Sequence, residues 1–145
     1  MTAKEYLRNI SVLDEKIKAN LKHIDDLRAR ATSIGSSSNL EAERVQGGSS
    51  NPDKIGYILT EIDEYERIAN ETIDEYVASK NKAMSMIDKL DNGLYIEILT
   101  MRYFEEKSFE EIAVTLEKSY RHTTRLHGYA LQEFQKIMDG NLNLS

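Results

Sequence analysis

Apolar residues recur at spacings of three and four from Ala3 to Ile34, and neither proline nor glycine interrupts them. Such spacing places side chains on one face of a 3.6-residue turn, so it predicts a single long amphipathic helix. Thr2 and Glu5 have the spacing of a capping box that begins this helix. Asn20 is the one polar residue in the seam, which consists of Ala3, Tyr6, Ile10, Leu13, Ile17, Ile24, Leu27, Ala31 and Ile34.

A second long helix is predicted after a segment of different composition. Residues 36–50 are rich in Ser, Gly and Asn, which predicts a flexible loop over about 35–51. Asn51 can cap the next helix, with Pro52 at its first position, where proline is best tolerated. Its seam runs through Ile55, Ile58, Ile62, Tyr65, Ala69, Thr72, Tyr76, Ala83, Met86 and Leu90. The similar lengths of the two helices predict an antiparallel, coiled-coil-like hairpin over residues 1–90.

The C-terminal part is predicted to be a smaller helical head. Asp91, Asn92 and Gly93 interrupt the second helix, and Leu94, Ile98, Met101 and Tyr103 then supply a helix for the head to pack on. We place this head at residues 91–140 and a frayed tail at 141–145. The fold class predicted from the sequence is therefore all-α, with a long N-terminal hairpin and a C-terminal helix-turn-helix head.

Within the head, residues 101–131 have the pattern of two helices joined by a tight turn. Ser108 and Glu111 form a capping box, and Phe109, Ile112, Ala113 and Leu116 follow as an apolar stripe. Ser119 can cap the next helix, which turns Thr123, Leu126, Ala130, Phe134 and Ile137 toward one face. This layout is typical of a helix-turn-helix whose second helix enters the DNA major groove.

The leading end of that second helix carries side chains suited to nucleic acid. Arginine can bond guanine with two hydrogen bonds, and hydroxyl and phenol groups can reach phosphates or base edges. Two capped helices with a short turn are also an ordinary corner of an all-α domain, so the pattern alone leaves both interpretations open. The predicted DNA-binding residues are Lys118, Ser119, Tyr120, Arg121, Thr124 and Arg125.

The stretch MRYFEEKSFEEIAVTLEKS resembles the fourth domain of bacterial sigma factors. The continuation RHTTRLHGYAL, the opening TAKEYLRNI and the central ERVQGGSS resemble small phage and prophage proteins of Gram-positive hosts, related to late-gene regulators of the RinA and ArpU kind. The resemblance implies that the residues after the turn contact DNA. The chain departs from the sigma-like pattern at Glu117, where a turn glycine is usual, and at Thr123, where Val or Ile is usual.

The net charge is −6, which gives the protein no general attraction for phosphate. Residues 108–138 are neutral, and only Lys118, Arg121 and Arg125 lie where a phosphate could meet them, so one copy should bind with a counterion slope of about −3. We therefore expect a homodimer, or contact with host RNA polymerase, to strengthen binding to double-stranded DNA. The residues predicted to support self-association are Ile17, Ile24, Ile62, Tyr65, Ile68, Ile73 and Tyr76.

Other classes of function remain open at this point. A non-catalytic adaptor that binds a host or phage protein fits the acidic charge, and a small terminase-like packaging component fits the joining of a helix-turn-helix to oligomerisation helices. We expect no enzyme activity, metal or cofactor, because no phosphate loop, nucleophile elbow or histidine pair at ligand spacing is present and there is no cysteine. With no long apolar run, we expect a cytoplasmic protein without membrane contact.

Overall fold

The computed structural model describes the backbone of residues 1–41 and 50–144, and the side chains of 1–35 and 52–141. These residues form five helices and no strand: α1 (Ala3–Glu41), α2 (Ser50–Ile87), α3 (Gly93–Tyr103), α4 (Phe109–Leu116) and α5 (Tyr120–Leu144). The predicted all-α class is confirmed. The capping box that begins α1 also forms, because the Thr2 amide donates to Glu5 Oε2 at 3.0 Å and the Glu5 amide donates to Thr2 Oγ1 at 3.2 Å.

Two helices extend further than the sequence predicted. α1 continues to Glu41, through residues 36–41 of the predicted loop, and α5 continues to Leu144, through the predicted frayed tail. Serine, asparagine and glycine cost a helix at most about 1 kcal/mol each, so a helix that has already formed can extend through them. The rest of the predicted loop, residues 42–49, and Ser145 lie outside the described residues.

The chain divides into two compact units. Unit 1 contains Met1–Leu13 and Glu75–Ser145, and unit 2 contains Asp14–Asp74. This division differs from the predicted one at residue 90, because the first turns of α1 and the last turns of α2 pack with the C-terminal helices. An apolar seam shows which face of a helix is covered, but it does not identify what covers it.

The core of unit 2 is formed by α1 and α2. Its buried residues are Ile24, Leu27, Ile58, Ile62 and Ala69, and Ala31, Ile34 and Tyr65 pack against them. An ion pair between Arg28 and Glu66 joins the two helices at the surface. Ile17, Ile24 and Ile62 were predicted to support self-association. They are buried within a single chain, so a second copy cannot reach them. The reason is that α1 and α2 cover one another's seams.

Unit 1 has two neighbouring apolar clusters. The larger one unites the start of α1, the end of α2, α3 and α5 through Ala3, Leu7, Ile10, Ala83, Met86, Ile87, Leu90, Leu99, Tyr103, Ala130 and Phe134. The smaller one joins α3, α4 and α5 through Ile98, Met101 and Ile112, with Leu94, Phe109, Leu116 and Leu126 packed around them. Together they fix the position of α5, which carries the candidate site.

Candidate nucleic-acid interface

The helix α3 is the platform on which α4 and α5 pack. The Asn92 side chain caps it by accepting a hydrogen bond from the Leu94 amide at 2.9 Å. Ile98 and Ile112 are fully buried between α3 and α4, and Ala113 is buried beside them.

The turn after α4 is made by a non-glycine residue in the left-handed conformation. Glu117 has φ 55° and ψ 44°, and its amide donates to the carbonyls of Ala113 and Val114. The Lys118 amide also donates to the Ala113 carbonyl, at 2.9 Å. The turn therefore forms without a glycine, and Glu117 bears the backbone strain that a glycine would avoid.

Ser119 caps the start of α5, as predicted. Its Oγ accepts from the His122 amide at 3.0 Å, and its carbonyl accepts both the Thr123 amide and the Thr123 hydroxyl, each at 2.9 Å. Thr123 is fully buried, and this hydrogen bond satisfies its hydroxyl. The Ser119 and Thr123 hydroxyls are thus occupied by the helix itself.

The first two turns of α5 present the predicted DNA-binding residues to different degrees. Arg121 and Arg125 are exposed, and Tyr120 keeps 52% of its surface accessible. Lys118 and Thr124 are half-buried, and the Thr124 hydroxyl donates to the Arg121 carbonyl at 3.0 Å. Among the side chains of residues 1–35 and 52–141, no carboxylate pairs with Arg121 or Arg125, so both guanidinium groups are available to an anion.

An aromatic contact holds the leading tyrosine of α5. The rings of Phe109 and Tyr120 meet edge to face with centroids 6.4 Å apart. The Arg102 guanidinium lies over the Phe109 ring, 4.2 Å from its centroid, and Arg102 also donates to the Lys107 carbonyl at 3.2 Å. Tyr120 is therefore oriented by a side chain that α3 and α4 hold in turn.

A buried polar pair lies beneath this surface. Tyr103 Oη and His127 Nε2 are 2.8 Å apart, and the His127 ring also packs edge to face on Phe109 at 4.9 Å. Burial lowers the pKa of His127 to about 4, and the charges of Arg102 and Lys4 act in the same direction. Only 8% of the surface of His127 is exposed. Nothing in the local pattern identified Tyr103 as its partner.

The negative charge of the protein is unevenly distributed between the units. Unit 1 has 11 Lys and Arg against 12 Asp and Glu, whereas unit 2 has 8 against 13. The unit that carries Arg121 and Arg125 is therefore close to neutral. The overall acidity that argued against phosphate binding belongs mainly to the other unit.

The described residues show two further properties. Across residues 1–41 and 50–144, no helix combines the length and apolar composition that a membrane span needs. Nor do three His, Asp or Glu side chains in the described parts of the chain converge as in a metal site.

The chain belongs to a family described as proteins of unknown function, DUF1492, whose profile matches residues 34–135. The match covers more than half of the chain and includes α2, α3, α4 and the first two thirds of α5. No curated protein and no solved structure shows significant similarity to the chain. Family membership thus includes the candidate interface but does not assign an activity to it.

Proposed function

We propose that the protein is a sequence-specific, DNA-binding transcription regulator of the phage type, in which α4, the turn at Glu117 and α5 act as a helix-turn-helix. The observation that carries this proposal is the position of Arg121 and Arg125. Both are exposed, one turn apart on the same face, at the capped start of a helix whose other face is buried. A recognition helix needs this combination of a fixed backbone and available guanidinium groups.

The chemistry divides between the two arginines and their neighbours. Arg121 and Arg125 contact base edges or phosphates, because a guanidinium can bond guanine N7 and O6 together or grip a phosphate. Tyr120 supplies an oriented hydroxyl, and Lys118 supplies a point charge for the DNA backbone. No acidic residue lies in the first turn of α5, so no carboxylate of that turn neutralises the positive end of the helix dipole, which attracts phosphates.

In this proposal unit 2 provides self-association or contact with host RNA polymerase. Single-copy binding through about three cations is weak, and a homodimer would double the number of phosphate contacts. Ile68 and Ile73 remain half-buried, and the apolar side chains of Tyr57, Leu59 and Leu21 are exposed. A second copy packed on these side chains would remove them from water.

The runner-up is a protein adaptor that binds a host or phage protein without contacting DNA. The observation in its favour is the charge of unit 2, where 13 acidic residues outnumber 8 basic ones. An acidic body of this kind is suited to a basic protein surface.

The two proposals are separated by a charge-matched pair of variants. Arg121→Ala with Arg125→Ala should abolish DNA binding, while the melting temperature stays nearly unchanged because both sites are exposed. Arg30→Ala with Lys54→Ala removes the same charge from exposed positions of unit 2 and should leave DNA binding intact. Normal DNA binding by the Arg121 and Arg125 variant would rule out the assigned recognition helix. Equal losses of DNA affinity in the two variants would mean that only the net charge matters.

A further inference from the structure

The exposed face of α5 continues beyond the two arginines assigned above to DNA. Tyr129 lies one turn beyond Arg125, and Gln132 follows three residues later. Both are exposed, as are Arg121 and Arg125. At 3.6 residues per turn, Gln132 lies within about 20° of Arg121 around the helix axis. The opposite face of α5 is buried through Thr123, His127, Ala130 and Phe134.

This exposed face carries no carboxylate. Residues 118–132 contain neither Asp nor Glu, and the next residue, Glu133, is paired with Lys136 at 2.9 Å. Among the described residues, the Tyr129 hydroxyl and the Gln132 amide form no hydrogen bond. An anion that approaches this part of α5 therefore meets no repelling charge within it and finds two available neutral donors.

The surface between Arg125 and Gln132 is also low. Gly128 has no side chain, and a Cβ placed there would meet nothing within 4 Å. Gly128 lies within about 20° of Arg121 around the helix axis. A ligand can therefore come close to the backbone of α5 from the side on which the arginines lie.

The length of this face decides which part of a duplex its far end can meet. Residues near the start of a recognition helix contact base edges. Gln132 is eleven residues beyond Arg121, which is about 16 Å along the axis at about 1.5 Å per residue. The major groove is about 12 Å wide and about 8.5 Å deep. When Arg121 reaches the base edges, the turn that carries Gln132 therefore lies level with the phosphates at the edge of the groove.

We propose that Tyr129 and Gln132 form a further DNA contact, in which the phenol hydroxyl and the carboxamide donate hydrogen bonds to phosphate oxygens at the edge of the major groove. This inference rests on the proposed function. Tyrosine and glutamine are among the side chains that bond phosphates, and such contacts carry no sequence information. Because both side chains are neutral, the contact strengthens binding to every duplex alike and leaves the salt slope unchanged.

The first test is duplex binding by the full chain with Gln132→Glu, which keeps the size of the side chain but introduces a negative charge. A carboxylate about 4 Å from a phosphate is repelled even in water, so we expect the affinity at low salt to fall about fivefold or more. The factor should be the same for selected and unrelated duplexes.

The matched control is Asn81→Asp, which makes the same chemical change at an exposed residue of unit 1. Asn81 lies on the side of α2 away from Ala83, which is buried in the cluster that α2 shares with α5. A charge placed there is screened from the duplex by salt, so the affinity should change less than about twofold.

A second variant, Tyr129→Phe, removes one hydroxyl and no charge. We expect binding to weaken about two- to tenfold, which is the effect of losing one hydrogen bond, with no change in the salt slope. Thermal unfolding checks that the three variants fold, and substitutions at exposed positions should leave the melting temperature nearly unchanged.

Four results would overturn the inference, and they are distinguishable. If the natural protein binds no duplex at low salt, the proposed function and this contact are both wrong. If it binds but a variant keeps its affinity, the side chain changed in that variant does not contact DNA. Loss of affinity for the selected sequence alone would mean that Tyr129 and Gln132 contact base edges instead of phosphates. An equal loss in Asn81→Asp would mean that only the net charge matters.

Discussion

Tyr103 Oη and His127 Nε2 lie 2.8 Å apart in the interior of unit 1, where they join α3 to α5. Phe109 at the start of α4 packs on the same imidazole, so one histidine of α5 contacts both α3 and α4. His127 is seven residues beyond the tyrosine that begins the candidate recognition helix. Its contacts therefore fix the direction in which α5 leaves the turn.

His127 should make the protein acid-sensitive in a defined range. Its pKa is lowered from 6.5 to about 4 in the folded protein, so the unfolded chain takes up the proton first as the pH falls. The contribution of His127 is complete above pH 6.5 and is lost as the pH falls toward about 4, at no more than about 1.4 kcal/mol per pH unit. Urea unfolding at pH 7, 6 and 5 measures this decline.

The control is His127→Gln, which keeps a hydrogen-bonding side chain but has no proton to gain in this range. Its free energy of unfolding should be lower at pH 7 but flatter between pH 7 and 5 than that of the natural protein. Parallel curves for the two proteins would mean that other groups cause the acid sensitivity.

Removal of the Tyr103 hydroxyl should be costly because its partner is buried. Tyr103→Phe keeps the ring but leaves His127 Nε2 without a partner, and we expect a loss of about 1–3 kcal/mol in unfolding free energy. Tyr95→Phe, at a half-buried tyrosine with no hydrogen bond of its hydroxyl in the described structure, is the comparison. Equal effects of the two substitutions would contradict the importance of the pair.

Glu117→Gly should stabilise the protein by about 0.5–1 kcal/mol, because glycine adopts φ 55° without the steric cost borne by Glu117. Glu117→Ala removes the same charge but keeps Cβ, so it separates backbone strain from electrostatics. We expect a higher melting temperature for the glycine variant only. A similar gain in the alanine variant would assign the effect to the carboxylate at the end of α4.

Thr123→Val should change the unfolding free energy by less than about 1 kcal/mol, because the side chains have the same shape and the Ser119 carbonyl keeps the Thr123 amide as its donor. Thr123→Ala removes a buried methyl group as well as the hydroxyl, so it should lower the unfolding free energy more than Thr123→Val does. Thermal unfolding compares them. A valine variant as unstable as the alanine variant would show that the hydroxyl itself is required.

The features predicted well from the sequence are those that depend on local chemistry. The capping box of Thr2 and Glu5 and the cap at Ser119 form, and the four helices after α1 begin within a residue or two of the expected positions. These features need only hydrogen bonds between near neighbours and apolar spacing along one helix.

The features that were missed depend on which distant segments meet. The seam of α1 predicted a helix, but it gave no sign that Ala3 and Leu7 would pack on α5 while Ile24 packs on α2. Glu117 was noted only as standing where a turn glycine is usual, and the left-handed conformation that it adopts was not predicted. The antiparallel hairpin and the recognition helix remain predictions.

The most direct test is binding of the purified protein to fragments of the genome around its own gene, titrated against salt. We expect saturable, sequence-selective binding, a slope of several units, and loss of selectivity when Arg121 and Arg125 are both alanine. Absence of binding at low salt, or selective binding that survives this double substitution, would contradict recognition of DNA by the start of α5.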